Sequence, residues 1–374
     1  MNTEPTVNII SFIISGWVNN FGFTVMLSAA LTMMHGKVPV SAVLLCDIMP
    51  CFLVQLVLPF CIDKISYPIK VVTIVICALL GFILAIFADV SVIIALVGVA
   101  FHSFSQGLGE MTFLAYSTKF SPKCVSAFSS GTGLAGITGA GIFAILSDLL
   151  HLDLKVILYI FLPVPLFMLL SYYISNPKLS PGSDNPELLT TATTTEQAVQ
   201  IPDKSFKAKL KSLGPILPLI LSLLLVYFCQ YLINQSVNAV INFPGKYDCK
   251  FYTFSQFSCQ FGVFLSRSSL PLFKIPFNCV FIPSIFQLCN LILFCFEAIY
   301  SFIPSFWLML VLVFFEGIFG GLVYSSSMHW ISVISNNENK EFRMGIICVF
   351  NNLGILGASC LGFWLEPFLR EKQK

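Results

Sequence analysis

The chain has 374 residues, of which 57% are hydrophobic and 10% charged, with a mean hydropathy of +0.88. A soluble domain carries about 25% charged residues, so this composition excludes an ordinary globular fold. The net charge of +2 gives no basis for nucleic-acid binding.

Runs of about 20 apolar residues, enough to cross a bilayer, recur at 9–33, 41–61, 69–88, 91–117, 125–147 and 155–175. After a polar stretch come five more, at 214–241, 251–270, 276–299, 304–334 and 343–368. The pattern predicts an all-α polytopic membrane protein with about eleven transmembrane helices in two bundles. The first run carries Asn19 and Asn20 in its middle and lacks a basic start and a small-residue cleavage site, so it reads as a retained helix. With a cytoplasmic N-terminus, cytoplasmic segments hold thirteen Lys and Arg against seven on the other side. That satisfies the positive-inside rule.

Residues 176–212 are too polar to build a core and read as a cytoplasmic linker between an N-terminal six-helix bundle (1–175) and a C-terminal five-helix bundle (213–374). Weak internal correspondences support a duplicated transporter. Gly109 precedes Tyr116 and Ser117 in the fourth helix of the first half as Gly317 precedes Tyr324 and Ser325 in the fourth helix of the second. Asn19, Asn20 and Ser28 in one first helix parallel Gln230, Asn234 and Gln235 in the other. Within the linker, Asp184, Leu188 and Leu189 have the form of an acidic dileucine sorting signal read by adaptors, against a chance match in a flexible loop. The segment from Lys204 to Leu213 spaces apolar residues among lysines, either as an interfacial helix on anionic lipids or, the plainer reading, as a basic flank of the seventh helix.

Glu110 and Glu316 each stand inside a long apolar run beside clustered glycines. An intramembrane acid costs roughly 3 kcal/mol and marks a substrate or proton path. Asp47, just before Pro50, adds a charge beside an expected kink, with solvation near the headgroups as the alternative. His329 lies thirteen residues beyond Glu316, about 20 Å along a helix. It is a station on a proton route or, the favoured reading, a structural histidine.

Candidate substrate contacts are Asn20, Ser129, Ser130, Thr132, Asn234, Gln235, Arg267 and Tyr324. The stretch Ser129–Gly133 is expected near a helix start, where N–H groups can meet an anion. Arg267 is a forked donor for phosphate or carboxylate. Substrate binding, a cytoplasmic gate ion pair and a lipid-phosphate contact remain equal alternatives for it. Gly131, Gly133, Gly136, Gly139 and Gly141 stud the fifth helix, and Gly317, Gly320 and Gly321 share one face of the tenth, chiefly as close-packing positions.

The thirteen cysteines form no CxxC or Cys/His cluster, so no metal site, no cofactor and no disulfide is expected, although Cys249 and Cys259 flank a short segment. Asn234 opens a formal glycosylation sequon at the end of an apolar helix, a poor place for its use. Four histidines and the absence of an HExxH or P-loop pattern argue against a membrane enzyme.

The segment Asn19–Ala30, followed by Leu44–Pro50, resembles the battenin family. Further blocks follow in family order: Gly107–Leu114, Ser129–Gly133, Tyr231–Gln235, Gly262–Leu270 and Glu316–Gly321. The resemblance implies a major-facilitator-like fold and residence in lysosomal, late endosomal or vacuolar membranes. It also implies a role in clearing glycerophosphodiesters, with links to luminal pH and basic amino acids. Gln230 departs from the family's glutamate, which puts a proton role there in doubt, and the tail has no prenylation box. The expectation is a transporter whose partners are a small polar solute, protons, membrane lipids and sorting adaptors. The alternative is a non-transporting scaffold acting through its linker. Deletion of residues 180–205 separates them: a correctly localised deletion that restores luminal metabolite levels overturns the scaffold reading.

Overall fold

The computed structural model describes residues 4–34, 36–57, 65–117, 120, 122–175, 213–243, 250–269, 275–334 and 337–373, and among these described residues eleven rods follow in chain order. The first half comprises α1 (Thr6–Met34), α2 (Ser41–Val57), α3 (Tyr67–Ala85), α4 (Val92–Ser117) and α5 (Pro122–Ala144), the last extended by a π-helical turn at Ile145–Leu149. A sixth rod is broken into α6 (Leu154–Phe161) and α7 (Leu166–Ile174) where Pro163 and Pro165 remove two backbone donors. The second half comprises α8 (Leu217–Leu232), carried on by a π-helical turn at Ile233–Val237, then α9 (Phe251–Ser268), α10 (Phe281–Tyr300), α11 (Phe306–Ile334) and α12 (Asn337–Lys372). Helices are the outcome because hydrocarbon offers backbone N–H and C=O groups no other partner.

Nine spans among the described residues are long and apolar enough to cross a membrane. The other two rods fall short for separate reasons. Only 17 residues of α2 are described, and α9 carries Ser255, Gln256, Ser258, Gln260, Ser266 and Arg267 in its 18 residues. Packing, not hydropathy, holds these two in the bundle: α2 lies between α4 and α12, and α9 between α5 and α11. Lipid-facing positions remain apolar, as at Ile93, Trp307 and Trp364, all more than half exposed.

Helix neighbours repeat between the halves. In the first, α1 packs on α5 and α2 on α4; in the second, α8 packs on α12 and α9 on α11. Two seams join the halves, α5 against α9 and α2 against α12, and the same exchange of helices relates them. This is the arrangement expected of a duplicated bundle. We call the side bearing the turn at residues 36–40 the far face, and the side from which segment 176–212 leaves α7 for α8 the linker face.

Small residues set how closely these helices approach. A Cβ on Gly317 would run into the carbonyl oxygen of Cys259, and one on Gly262 into that of Phe314, so α9 and α11 cross backbone to backbone. The glycines of α5 divide between two partners. Gly131 and Gly139 face Ile13 and Thr24 of α1, while Gly136 and Gly141 face Gln260 and Phe257 of α9. The close-packing expectation for these glycines holds.

Pro50 interrupts α2, and α4 repairs the gap. The Cys51 N–H donates to Ser103 Oγ at 3.0 Å, and the Ser103 hydroxyl donates to the Asp47 carbonyl. A side chain inserted into the helical ladder is a known cause of bending.

We expect Gly317→Ala to destabilise the purified protein by about 1–3 kcal/mol, the usual cost of overpacking. Gly214→Ala, at a position with nothing within 4 Å of the added carbon, should leave the unfolding temperature unchanged.

Candidate functional site

The crossing of α9 with α11, beside the end of α8, brings a carboxylate, a thiol and four amides together inside the second half. Glu316 is fully buried, and its Oε1 accepts from Asn234 Nδ2 at 2.6 Å. Asn234 Nδ2 also approaches Cys259 Sγ at 3.2 Å, which Gln230 Nε2 meets at the same distance. The π turn makes this possible: all five residues from Ile233 to Val237 are buried, so Asn234, Gln235 and Ser236 point into protein together. Gln235 Nε2 donates to Gln256 Oε1 at 3.1 Å, and Gln256 Nε2 returns to the Asn234 carbonyl at 3.0 Å. Tyr252 completes the network across the bundle interface. Its hydroxyl lies 2.7 Å from both Gln235 Oε1 and the Leu27 carbonyl of α1, two acceptors for one hydrogen.

Glu110 belongs to a second network. Its Oε2 accepts from Gln55 Nε2 at 2.7 Å, and Gln55 Oε1 accepts from Asn352 Nδ2 at 2.7 Å. The chain therefore runs from α4 through α2 to α12 and crosses a seam. Glu110 stands eighteen residues past Val92 and Glu316 ten past Phe306, each counted from the far-face end of its helix. At about 1.5 Å per residue these are depths of about 27 and 15 Å. The two acids therefore sit at different levels, each with its own donor.

Arg267 bonds no carboxylate among the described residues. Its Nη2 donates to Tyr227 OH at 2.8 Å, its guanidinium carbon lies 4.3 Å from the Tyr324 ring centroid, and its buried Nε has no partner. Tyr231 stacks on Tyr227 at 6.0 Å. Glu110 is within electrostatic reach of this guanidinium without bonding it. The ion-pair reading of Arg267 finds no acid here; an aromatic bracket takes its place.

A cavity of ≈ 40 Å³ connects the two groups, lined by Leu27 of α1, by Tyr227, Gln230 and Gln235 from the α8 side and by Gln256 and Arg267 of α9. That volume admits a few waters and no metabolite. Binding a solute here requires the halves to part.

Other expected residues fall elsewhere. Asp47 is fully buried, and neither carboxylate oxygen has a partner, which overturns the solvated-headgroup alternative. Asn20 is half-buried in α1 and accepts from Asn19. His329 lies against Trp330, near the linker-face end of α11 and away from Glu316. Ser129, Ser130 and Thr132 are not at a helix start. They lie inside α5, whose hydrogen-bond ladder uses the backbone N–H groups, and Thr132 Oγ1 donates back to the Ser129 carbonyl at 2.7 Å. An anion there would meet side chains only. Asn234 is buried on Glu316, so the glycosylation sequon is closed to modification. Asp184, Leu188, Leu189 and residues 204–212 lie outside the described residues. No group of three or more His, Cys, Asp and Glu side chains converges as a metal site among the described residues.

Sequence reasoning missed Gln55, Asn352, Tyr227, Tyr252, Gln256 and Cys259. The signal was present for the amides, because a lone Gln or Asn in an apolar run must find a partner inside the protein. It was absent for the tyrosines and Cys259, which read as ordinary bundle residues.

We expect Asn234→Leu, which strips Glu316 of its donor, to cost about 1–3 kcal/mol. Adding Glu316→Leu should recover part of that loss, and thermal unfolding of the two single variants and the double variant measures the coupling.

The chain's similarities agree with this architecture. The family described as CLN3 protein matches residues 10–371. Protein BTN1 of Yarrowia lipolytica is 34% identical over 370 residues, covering 95% of this chain and 92% of that protein. Protein BTN1 of Kluyveromyces lactis is 33% identical, covering 97% and 94%. Among solved structures, a D-xylose-proton symporter aligns with a TM-score of 0.65 at 10% identity, over 100% of this chain and 98% of that one. A bacterial homologue of the human lysosomal transporter Spinster, inward-facing and occupied, aligns with a TM-score of 0.65 at 14% identity, over 95% and 80%. Those two likenesses establish the major facilitator fold. The family match bears out the battenin resemblance, and with relatives above 30% identity along nearly the whole chain, this protein belongs to the CLN3 protein family.

Proposed function

We propose that this chain is a transporter that carries a small, anionic, hydroxyl-bearing solute out of a lysosome, late endosome or vacuole by alternating access, and that a glycerophosphodiester is the class that fits best. One observation carries the reading: a guanidinium lines the central cavity, held by Tyr227 and Tyr324 and bonded to no carboxylate. A fixed cation kept inside a membrane and bonded to no carboxylate among the described residues is suited to an anion that arrives with a solute. Arginine's planar fork matches the paired oxygens of a phosphodiester. The amides of Gln230, Asn234, Gln235 and Gln256 supply donors and acceptors for hydroxyls on the same solute.

Protons drive the cycle in this reading, with Glu316, Glu110 and Asp47 as the groups that carry them. Glu316 has one donor and one unpartnered oxygen, and Asp47 has none for either oxygen, so their surroundings suit a carboxyl that gains and loses a proton as access changes. Effects on luminal pH and basic amino acids follow from that coupling. In this reading the linker serves sorting, with Asp184, Leu188 and Leu189 as the signal that adaptors read.

Binding of a glycerophosphodiester to the purified full chain tests the anion role. Arg267→Ala should weaken it by tenfold or more, since charge-assisted hydrogen bonds contribute about 1.5–3 kcal/mol. Arg267→Lys, a point charge without the fork, should recover only part. Affinity unchanged in Arg267→Ala removes this role. For coupling, Glu110→Gln and Glu316→Gln should slow solute efflux from acidic vesicles while protein amount stays constant, and normal efflux by both variants would sink the proton-carrier role.

A further inference from the structure

We propose that Glu366 and Arg370 of α12, with Val40 and Ser41 at the start of α2 and Ser236 in the π turn, form a latch that closes the far face between the two halves. The proposal rests on the alternating-access reading given above. Glu366 is 2% exposed, and its Oε2 accepts from the Val40 N–H at 2.7 Å and lies 3.5 Å from Ser41 Oγ. Ser41 Oγ in turn lies 3.0 Å from Ser236 Oγ. Gly362, one turn before Glu366, makes room: a Cβ there would stand 2.8 Å from Ser41 Oγ. Arg370 anchors the other side, bonding Glu366 Oε1 at 3.1 Å and the Ala239 carbonyl at 2.9 Å with the same Nη2.

The donors are distributed so that the carboxylate's energy depends on the seam staying shut. Val40 and Ser41 belong to the first half, whereas Glu366, Arg370, Ser236 and Ala239 belong to the second. When the halves part at this face, Glu366 loses an N–H at the start of a helix, where a negative charge is favoured. It keeps only Arg370, four residues on along its own helix, and an exposed pair of that kind contributes little. Water then reaches the carboxylate but does not replace what the closed seam supplied in low dielectric. The second seam is tied at the same face, where Lys250 Nζ at the start of α9 donates to the Asp148 carbonyl in the π turn after α5, at 3.3 Å. Both seams are therefore fastened at one face, and the Glu366 latch holds the population of the far-open state low.

The native Cys259 reports the opening. Its thiol lines the central cavity and is 2% exposed. The full-length protein in sealed vesicles, without solute, is treated with a membrane-impermeant thiol reagent from the far face, and modification is read from the Cys259 peptide. Glu366→Gln should raise that rate by about tenfold, the scale of a lost charge-assisted hydrogen bond. Lys155→Met, which removes the exposed Lys155–Asp89 pair within the first half, should not. A rate in Glu366→Gln equal to that of the unaltered protein overturns the latch. A second measurement stands if that variant does not fold. Ser41→Cys with Ser236→Cys, oxidised by copper–phenanthroline, should suppress far-face modification until a reductant restores it. Modification that continues in the cross-linked protein also overturns the latch. Neither readout requires solute or Arg267, so a failed glycerophosphodiester assay and a failed latch are separate results.

Discussion

A carboxylate inside a membrane must take its donors from the protein, and the chain meets this constraint at Glu316 by bringing α9 and α11 into backbone contact. Gly317 and Gly262 leave nothing between the two helices, so Cys259 of α9 meets Asn234 of the α8 π turn, and Asn234 donates to the acid. The amide network around Glu316 follows from that approach. Gln230, Gln235 and Gln256 are oriented by bonds that lead to Asn234 or Cys259, and Tyr252 carries the network to α1. A bulkier residue at the crossing would separate the carboxylate from its donor and leave a row of amides without partners.

The two seams between the halves add glycine contacts and short hydrogen-bond chains to apolar packing that runs through both halves. Within a half, apolar side chains interlock, as around Phe12, Ile74, Phe113 and Phe128 in the first and Leu232, Phe251, Phe294 and Met309 in the second, while a further apolar cluster runs from Phe21 and Leu44 of the first half to Leu223 of the second. Across the seams lie glycine contacts and hydrogen bonds of few members: Asn352 to Gln55, Tyr252 to Leu27, Glu366 to Val40. Contacts of this kind can be exchanged for water at modest free-energy cost, whereas interlocked apolar cores cannot. Such seams suit halves that rock about a central site, as the proposed transport cycle requires.

Much of this could be read in the sequence. The order and extent of the rods followed from apolar runs, and the glycines of α5 and α11 were read correctly as close-packing positions. Glu110, Glu316, Asn234, Gln235, Arg267 and Tyr324 were all recognised as unusual for where they stand. The partners of these residues were not legible. Glu110 meets Gln55 and, through it, Asn352, which are 55 residues before it and 242 after it, and no local pattern links residues from three helices. Ser129–Gly133 misled because hydroxyls and glycines are also compatible with the middle of a helix that packs on two neighbours. Glu366 and Arg370 carry no local signal, since their contacts depend on the start of α2 lying against the end of the last helix.

The sequence by itself determined the solvent this protein lives in, its helical class and which side chains are too polar to sit in hydrocarbon unpaired. Those properties follow from composition and from the length of apolar runs, because the bilayer acts on each segment separately. The tertiary structure alone decided that Glu316 and Glu110 stand at different depths, that Arg267 faces tyrosines and not an acid, and that Glu366 closes a seam. Pairing of polar groups depends on which helices cross and how closely. That is set by side-chain volume at contacts between residues far apart in the chain, which no reading along the chain can supply.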